Sequence, residues 1–114
     1  MNIDFEPIRK RWVKEGSESD LGLWWLADDL REVLGPDATE EEVRATTLEA
    51  LRPLLESGKL RAVTLLEGGT FEVWTGDVDQ QLANIAEGWR AVDKPDIGDV
   101  VWFIGERTEL AAPV

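Results

Sequence analysis

Apolar residues recur along the chain at two kinds of spacing, and together they predict four helices and three strands. Apolar positions repeating every three to four residues indicate amphipathic helices. Short apolar runs rich in β-branched residues and bounded by turn residues indicate strands. Predicted helices cover residues 5–15, 20–34, 39–58 and 77–92, and predicted strands cover 60–66, 70–74 and 100–104. The order α-α-α-β-β-α-β predicts an α+β domain in which helices precede a small antiparallel sheet.

The third helix has the clearest boundaries. Thr39 is a good N-cap, and Glu42 three residues later completes a capping box. Gly58 is suited to end the helix in the left-handed conformation. Pro53 lacks a backbone donor and crowds the preceding turn, so we expect it to kink or split this helix.

The two strands after this helix flank Glu67-Gly68-Gly69, which predicts a hairpin. A helix followed by a two-stranded hairpin resembles the second half of a winged-helix domain. That resemblance implies a recognition helix and a wing that contact nucleic acid. The charge opposes this function, because residues 39–58 hold five Glu and two Arg, whereas DNA binding draws much of its affinity from neutralising phosphates.

The second helix, 20–34, is apolar on more than one side. We expect Ser19 or Asp20 to cap it and Gly16–Ser19 to form a linker before it. One interpretation is that the first helix covers its second apolar side through Trp12. The other is that Trp24 or Trp25 stays exposed as an anchor for a partner, since Trp is favoured at interface hot spots. The expected buried face comprises Leu23, Leu26, Ala27, Leu30, Val33 and Leu34.

The remaining elements follow simple patterns within one predicted domain, 1–114. Asp77 caps the fourth helix, and Trp89 belongs to its apolar stripe, so we expect Trp89 in the core. The apolar run 100–104 predicts a strand buried on both faces and central in the sheet. Residues 1–19 form the N-terminal helix and linker, and residues 106–114 are expected to be a flexible tail.

The formal net charge of −12 narrows the classes of partner. The first 15 residues hold four basic and three acidic residues, and the remainder holds 8 basic and 21 acidic residues. Such a surface repels nucleic acid and anionic membranes and attracts basic proteins. Solubility alone is the competing explanation of the acidity.

The residue types present offer little for catalysis. The chain has no His, Cys or Tyr, which excludes Ser-His-Asp and Cys-His arrangements and the usual transition-metal ligand sets. Asp93, Asp96 and Asp99 lack the spacing of an EF-hand and are read as turn residues. We therefore expect no catalytic, cofactor-binding or metal site and a protein that is not an enzyme. We also expect no membrane span and a cytoplasmic location.

Three features together resemble the small acidic immunity proteins of bacterial polymorphic and contact-dependent toxin systems. They are the Leu23-Trp24-Trp25-Leu26 helix, the Glu-rich helix after it, and the closing Gly98-Asp99-Val100-Val101-Trp102-Phe103. The resemblance implies a basic partner, a cognate toxin domain that is often a nuclease, blocked by carboxylates and one or two Trp anchors. The candidate partner-binding residues are Trp25, Asp28, Glu32, Glu42, Glu49 and Glu56.

An alternative is a winged-helix transcription regulator or adaptor. It requires a basic surface, and only the N-terminal Arg9-Lys10-Arg11 cluster offers one. Retention on DNA or heparin at low salt would favour this alternative over the inhibitor. The sequence leaves the identity of the partner and the oligomeric state open.

Overall fold

The computed structural model describes residues 3–96 and 99–105. In this part of the chain four α-helices pack with one four-stranded sheet. The elements in chain order are α1 (Glu6–Glu18), β1 (Leu21–Gly22), α2 (Leu23–Leu34), α3 (Glu40–Ser57), β2 (Leu60–Leu65), a 3₁₀ turn (Glu67–Gly69), β3 (Phe71–Val73), α4 (Val78–Val92) and β4 (Trp102–Gly105).

The sheet is antiparallel throughout, with the strand order β1-β4-β2-β3. β4 lies between two neighbours, and its consecutive residues Phe103 and Ile104 are both buried. Successive side chains on a strand point to opposite faces, so β4 is covered on both sides. This confirms the predicted central strand, although it begins at Trp102 rather than Val100.

The α+β class and the small antiparallel sheet are confirmed, while the winged-helix likeness stays a prediction. The predicted order lacked β1, whose two residues are too few to show an alternating pattern. β1 pairs with β4 through Leu21 opposite Phe103. The predicted helix 20–34 is wrong at its start, because α2 begins at Leu23 and its N-cap is Gly22, without a side-chain cap. Neither Ser19 nor Asp20 caps it.

The predicted linker Gly16–Ser19 is also wrong, because α1 continues to Glu18. Gly16 is buried where α1 crosses the end of β4. A Cβ added to Gly105 would lie 2.7 Å from the carbonyl carbon of Gly16. A glycine inside a helix weakens it intrinsically, but here it permits a close approach of two backbones, and tertiary packing overrides the local preference.

α3 is the central helix, since it packs against α1, α2, α4 and β2. Its ends follow the prediction. Thr39 and Glu42 form both bonds of the capping box, and Gly58 adopts a left-handed conformation with φ of 78°. Its residues Val43, Thr47, Ala50, Leu51, Leu54 and Leu55 are buried.

Pro53 lies inside α3, yet the helix runs through it as one element. Because proline has no N–H, the carbonyl of Glu49, four residues earlier, loses its usual intrahelical donor. Arg9 of α1 donates from Nη2 to that carbonyl at 3.3 Å and from Nε to the carbonyl of Ala50 at 2.8 Å. The Arg9 guanidinium also lies 5.0 Å from the centre of the Phe5 ring. We call this set of contacts the Arg9 clasp.

The described buried residues form a core between the helices and the sheet. Trp12 and Trp89 are both fully buried, as predicted for Trp89. Trp12 of α1 donates its indole N–H to Asp29 of α2 at 2.8 Å, so this residue does join α1 to α2, although α1 packs mainly against β4 and α3. Val33 is 45% exposed and does not belong to the buried face, whereas Leu34 in the same turn is half-buried and packs against the core. The predicted tail 106–114 lies outside the described residues.

Substituting Arg9 should reveal its coupling to Pro53. Arg9→Ala should lower the free energy of unfolding by about 2 kcal/mol, the scale for hydrogen bonds from a charged group. In a Pro53→Ala background the helix supplies its own donor to Glu49, so the cost of Arg9→Ala should shrink by about 1 kcal/mol. Urea unfolding of the four proteins measures this. Additive effects would contradict the clasp.

Candidate partner-binding site

The six candidate residues fall on two helices. Glu42, Glu49 and Glu56 are exposed along the outward ridge of α3. Asp28 and Glu32 are exposed on α2, where they share a helix face with Trp25. The sequence therefore identified the outward direction of the acidic side chains correctly. It did not identify the concave surface that two of them border.

That surface is a groove of about 610 Å³ between the segment that leads into α1, the end of α2 and the first half of α3. Apolar side chains and three carboxylates line it together. We call it the acidic groove, and its lining residues are Ile3, Phe5, Leu34, Asp37, Ala38, Glu42, Thr46 and Glu49. An apolar surface bordered by carboxylates suits a side chain with an aliphatic stem and a cationic head.

Glu42 is held in place by the helix terminus. Its Oε1 accepts the N–H of Thr39 at 2.8 Å, while Thr39 Oγ1 accepts the N–H of Glu42 at 3.1 Å. The hydrogen bond from the Thr39 backbone, followed by that from its side chain, lowers the pKa of Glu42 below its ordinary value. The carboxylate is therefore charged and held at the helix terminus, where Glu42 is exposed and lines the acidic groove.

Glu49 and Glu56 differ in their surroundings. The backbone carbonyl of Glu49 accepts from Arg9, but among the described residues its side chain forms no ion pair. The Glu56 carboxylate lies 3.9 Å from Arg52, a guanidinium that is bound more closely to Asp79 of α4 at 2.6 Å. That hydrogen bond raises the pKa of Arg52 above its ordinary value. Glu56 is thus partly neutralised and lies apart from the acidic groove.

The α2 candidates are less available than the sequence predicted. Trp25 is half-buried and packs against the core. Asp28 accepts from Arg31 at 2.6 Å. It is Leu34 of α2, rather than Trp25, Asp28 or Glu32, that borders the acidic groove. We retain these three residues as a second, separate surface.

Two other acidic residues hold the helices together. Each accepts a hydrogen bond from the indole N–H of a buried Trp and also pairs with an Arg. Asp29 binds Trp12 and Arg11 at 2.8 and 2.9 Å. Glu40 binds Trp89 and Arg31, both at 2.8 Å. Part of the acidity of the chain therefore serves the fold, which the sequence analysis did not distinguish from the acidity of a binding surface.

Of the eight residues that line the groove, sequence reasoning identified only Glu42 and Glu49, and Phe5 and Leu34 are the large apolar residues among those it missed. Phe5 was predicted as the first residue of a helix and is instead the N-cap of α1, and Leu34 was assigned to a buried face. A detectable signal was the pair of apolar residues, Ile3 and Phe5, ahead of the proline at the start of α1. Their alignment with α3 depends on how α1 docks, which no local pattern specifies.

Two other kinds of functional feature are absent from the described residues, and the comparisons with known proteins found no match. The function is therefore inferred from the geometry of the site. Within residues 3–96 and 99–105, helices that combine the length and apolar character of a membrane span are absent. The same ranges contain no cluster of three or more acidic side chains arranged to hold a metal ion. No protein-family model, curated protein or solved structure matches the chain.

Removing the Glu40 carboxylate should destabilise the fold. Glu40→Ala leaves the buried indole N–H of Trp89 without its acceptor, at a cost of about 2–3 kcal/mol. The neighbouring Glu41→Ala removes an exposed charge from the same helix turn and should change stability by less than about 0.5 kcal/mol. Chemical denaturation followed by Trp fluorescence compares the two variants. Equal effects would show that the Glu40 hydrogen bonds do not stabilise the fold.

Glu42 should impose a pH dependence on stability. Because its folded pKa is lower than its unfolded pKa, its charge stabilises the fold above the unfolded value. That contribution is lost as the pH falls through the lowered folded pKa. Glu42→Gln, which keeps a capping side chain, should therefore be less stable than the parent near neutral pH and equally stable in acid. Urea midpoints measured across this pH range test the expectation, and a constant difference would contradict it.

Proposed function

We propose that the chain is an acidic binding protein that neutralises a basic protein partner. The observation that carries this proposal is the acidic groove, where Glu42 and Glu49 border an apolar surface that includes Phe5 and Leu34. The fixed carboxylates orient a cationic partner, and the apolar surface provides the area that the partner contacts. The net charge of −12 adds long-range attraction, which raises the rate of encounter.

Arginine and lysine side chains match this groove in both parts. Their methylene stems can lie on Phe5 and Leu34 while their charged heads reach the carboxylates. Arginine suits the site better, because its planar fork can bind one carboxylate through two hydrogen bonds. The expected binding element is therefore an exposed arginine, flanked by apolar residues, on a basic surface of the partner.

The finer proposal is an immunity protein that blocks a cognate bacterial toxin, with a nuclease as one possible activity of that toxin. It rests on the resemblance of the sequence to that class and on the chemistry of the groove. Nucleases that bind phosphates carry basic clefts, and the carboxylates of the acidic groove are complementary in charge to basic side chains that project from the rim of such a cleft. The fully buried Trp12 and Trp89 are not available as partner anchors. Trp25 and Trp24, the two possible anchors on α2, are both half-buried, and Trp25 is the candidate because it shares a helix face with Asp28 and Glu32.

The regulator alternative has less support from the geometry. It relied on Arg9-Lys10-Arg11, but Arg9 donates to backbone carbonyls of α3 and Arg11 pairs with Asp29. Of that cluster only Lys10 is left without an ion pair or hydrogen bond in the described part of the chain. A single lysine neutralises only one phosphate, which gives little affinity for a nucleic-acid backbone.

The immunity proposal predicts a toxin gene immediately upstream of the gene for this chain, and neutralising the groove carboxylates should weaken binding to the domain that it encodes. Glu42→Gln and Glu49→Gln should each raise the Kd by about tenfold, because each removes a charge-assisted contact. Glu87→Gln, an exposed position on α4, is the matched control and should leave the Kd unchanged. Calorimetry of each pair at low and physiological salt measures the effect.

Co-expression tests the biological side of the proposal. The parent chain should relieve the toxicity of the neighbouring gene product, and the Glu42→Gln/Glu49→Gln double variant should relieve it less. Full protection by the double variant would show that the acidic groove does not bind the toxin. Retention of the parent chain on DNA or heparin at low salt would instead favour the regulator.

A further inference from the structure

A second groove, of about 530 Å³, continues along the α1–α3 contact beyond the Arg9 clasp. Its charge is opposite to that of the acidic groove. We call it the basic groove. It holds four cations against one carboxylate and an apolar floor, and its lining residues are Glu6, Arg9, Lys10, Val13, Lys14, Pro53, Leu54, Ser57 and Lys59.

Of the four cations that line the basic groove, only Arg9 makes side-chain contacts that hold the described elements together. Arg9 is committed to the carbonyls of Glu49 and Ala50. In contrast, Lys10, Lys14 and Lys59 are exposed, and no carboxylate of the described residues lies within ion-pair distance of their ammonium groups. In a chain with 24 acidic and 12 basic residues, three unpaired lysines around one concavity form a local exception to the overall charge.

The shape and floor of the basic groove favour a peptide over nucleic acid. An apolar surface for one or two aliphatic side chains is formed by Val13, Pro53 and Leu54. Among the described residues no aromatic ring lines the groove, so a nucleic-acid base would have no ring on which to stack. A nucleic acid extends well past the groove and meets the acidic remainder of the surface. A short acidic segment stays within about one Debye length, roughly 8 Å at physiological ionic strength, of the lysines.

We propose that the basic groove binds an acidic segment of a protein partner, with carboxylates on Lys10, Lys14 and Lys59 and a leucine-sized side chain on Val13 and Leu54. This site is separate from the acidic groove, so it does not rest on the function proposed above. The two grooves are both lined in part by α3 and carry opposite charges. A partner that places a basic segment in one groove and an acidic segment in the other can bind in only one orientation.

Fluorescence anisotropy with a labelled synthetic peptide tests the proposal on the full chain. The probe alternates Glu with Leu, and the control peptide has Lys in place of every Glu. Lys10→Glu/Lys14→Glu should raise the Kd of the Glu-Leu peptide by at least about tenfold. Arg90→Glu/Lys94→Glu makes the same change in net charge at exposed positions on and after α4 and should alter the Kd by less than about twofold.

Several outcomes would overturn the proposal. Equal weakening by the two double variants would show non-specific attraction. Tighter binding of the Lys-Leu peptide at this groove, or displacement of the probe by a short single-stranded RNA, would assign the surface to another ligand. Dimerisation that blocks the probe would assign it to a second copy of the chain. The milder Lys10→Gln/Lys14→Gln variant, with circular dichroism for folding, guards against a loss of binding that reflects unfolding.

Discussion

The Arg9 clasp joins the N-terminal helix to the central helix, and its residues line both grooves: Phe5 and Glu49 line the acidic groove, and Arg9 lines the basic groove. Pro53 withholds one backbone donor from α3, and Arg9 of α1 supplies the missing hydrogen bond. That bond is exposed, whereas the bond from Arg9 to the Ala50 carbonyl is partly buried, where an unpaired polar group costs free energy, so the arginine of α1 stabilises α3 next to its proline. The same guanidinium lies against Phe5, which holds this ring beside Glu42 and Glu49.

Two pairs of carboxylate and tryptophan complete the assembly of the helices. Asp29 joins α1 to α2 through Trp12, and Glu40 joins α3 to α4 and α2 through Trp89 and Arg31. A large indole contributes much apolar burial but also carries one N–H that needs an acceptor. An acid-rich chain supplies acceptors readily, so its acidity serves both the interior contacts and the outward surface.

Local patterns predicted most of the elements, and long-range contacts account for the remainder. Thr39, Glu42 and Gly58 mark the ends of α3 because capping depends on neighbours in sequence. β1 could not be predicted, since Leu21 and Gly22 form a strand only because β4 lies beside them. Gly16 suggested a break and instead lies within a helix against Gly105. In the site, the outward direction of Glu42 and Glu49 followed from helical spacing, whereas Phe5 joined them through the docking of α1 on α3 and Leu34 through the packing of α2 on α3.

The central claim is that the α1–α3 contact builds an acidic groove able to hold a cationic segment. Backbone amide chemical shifts, recorded while an arginine- and leucine-containing peptide is added, test it most directly. The groove predicts saturable shifts at Phe5, Leu34, Glu42 and Glu49 that disappear in Arg9→Ala. Shifts confined to the β2–β3 hairpin or to α4, or shifts at the groove that persist unchanged in Arg9→Ala, would contradict it.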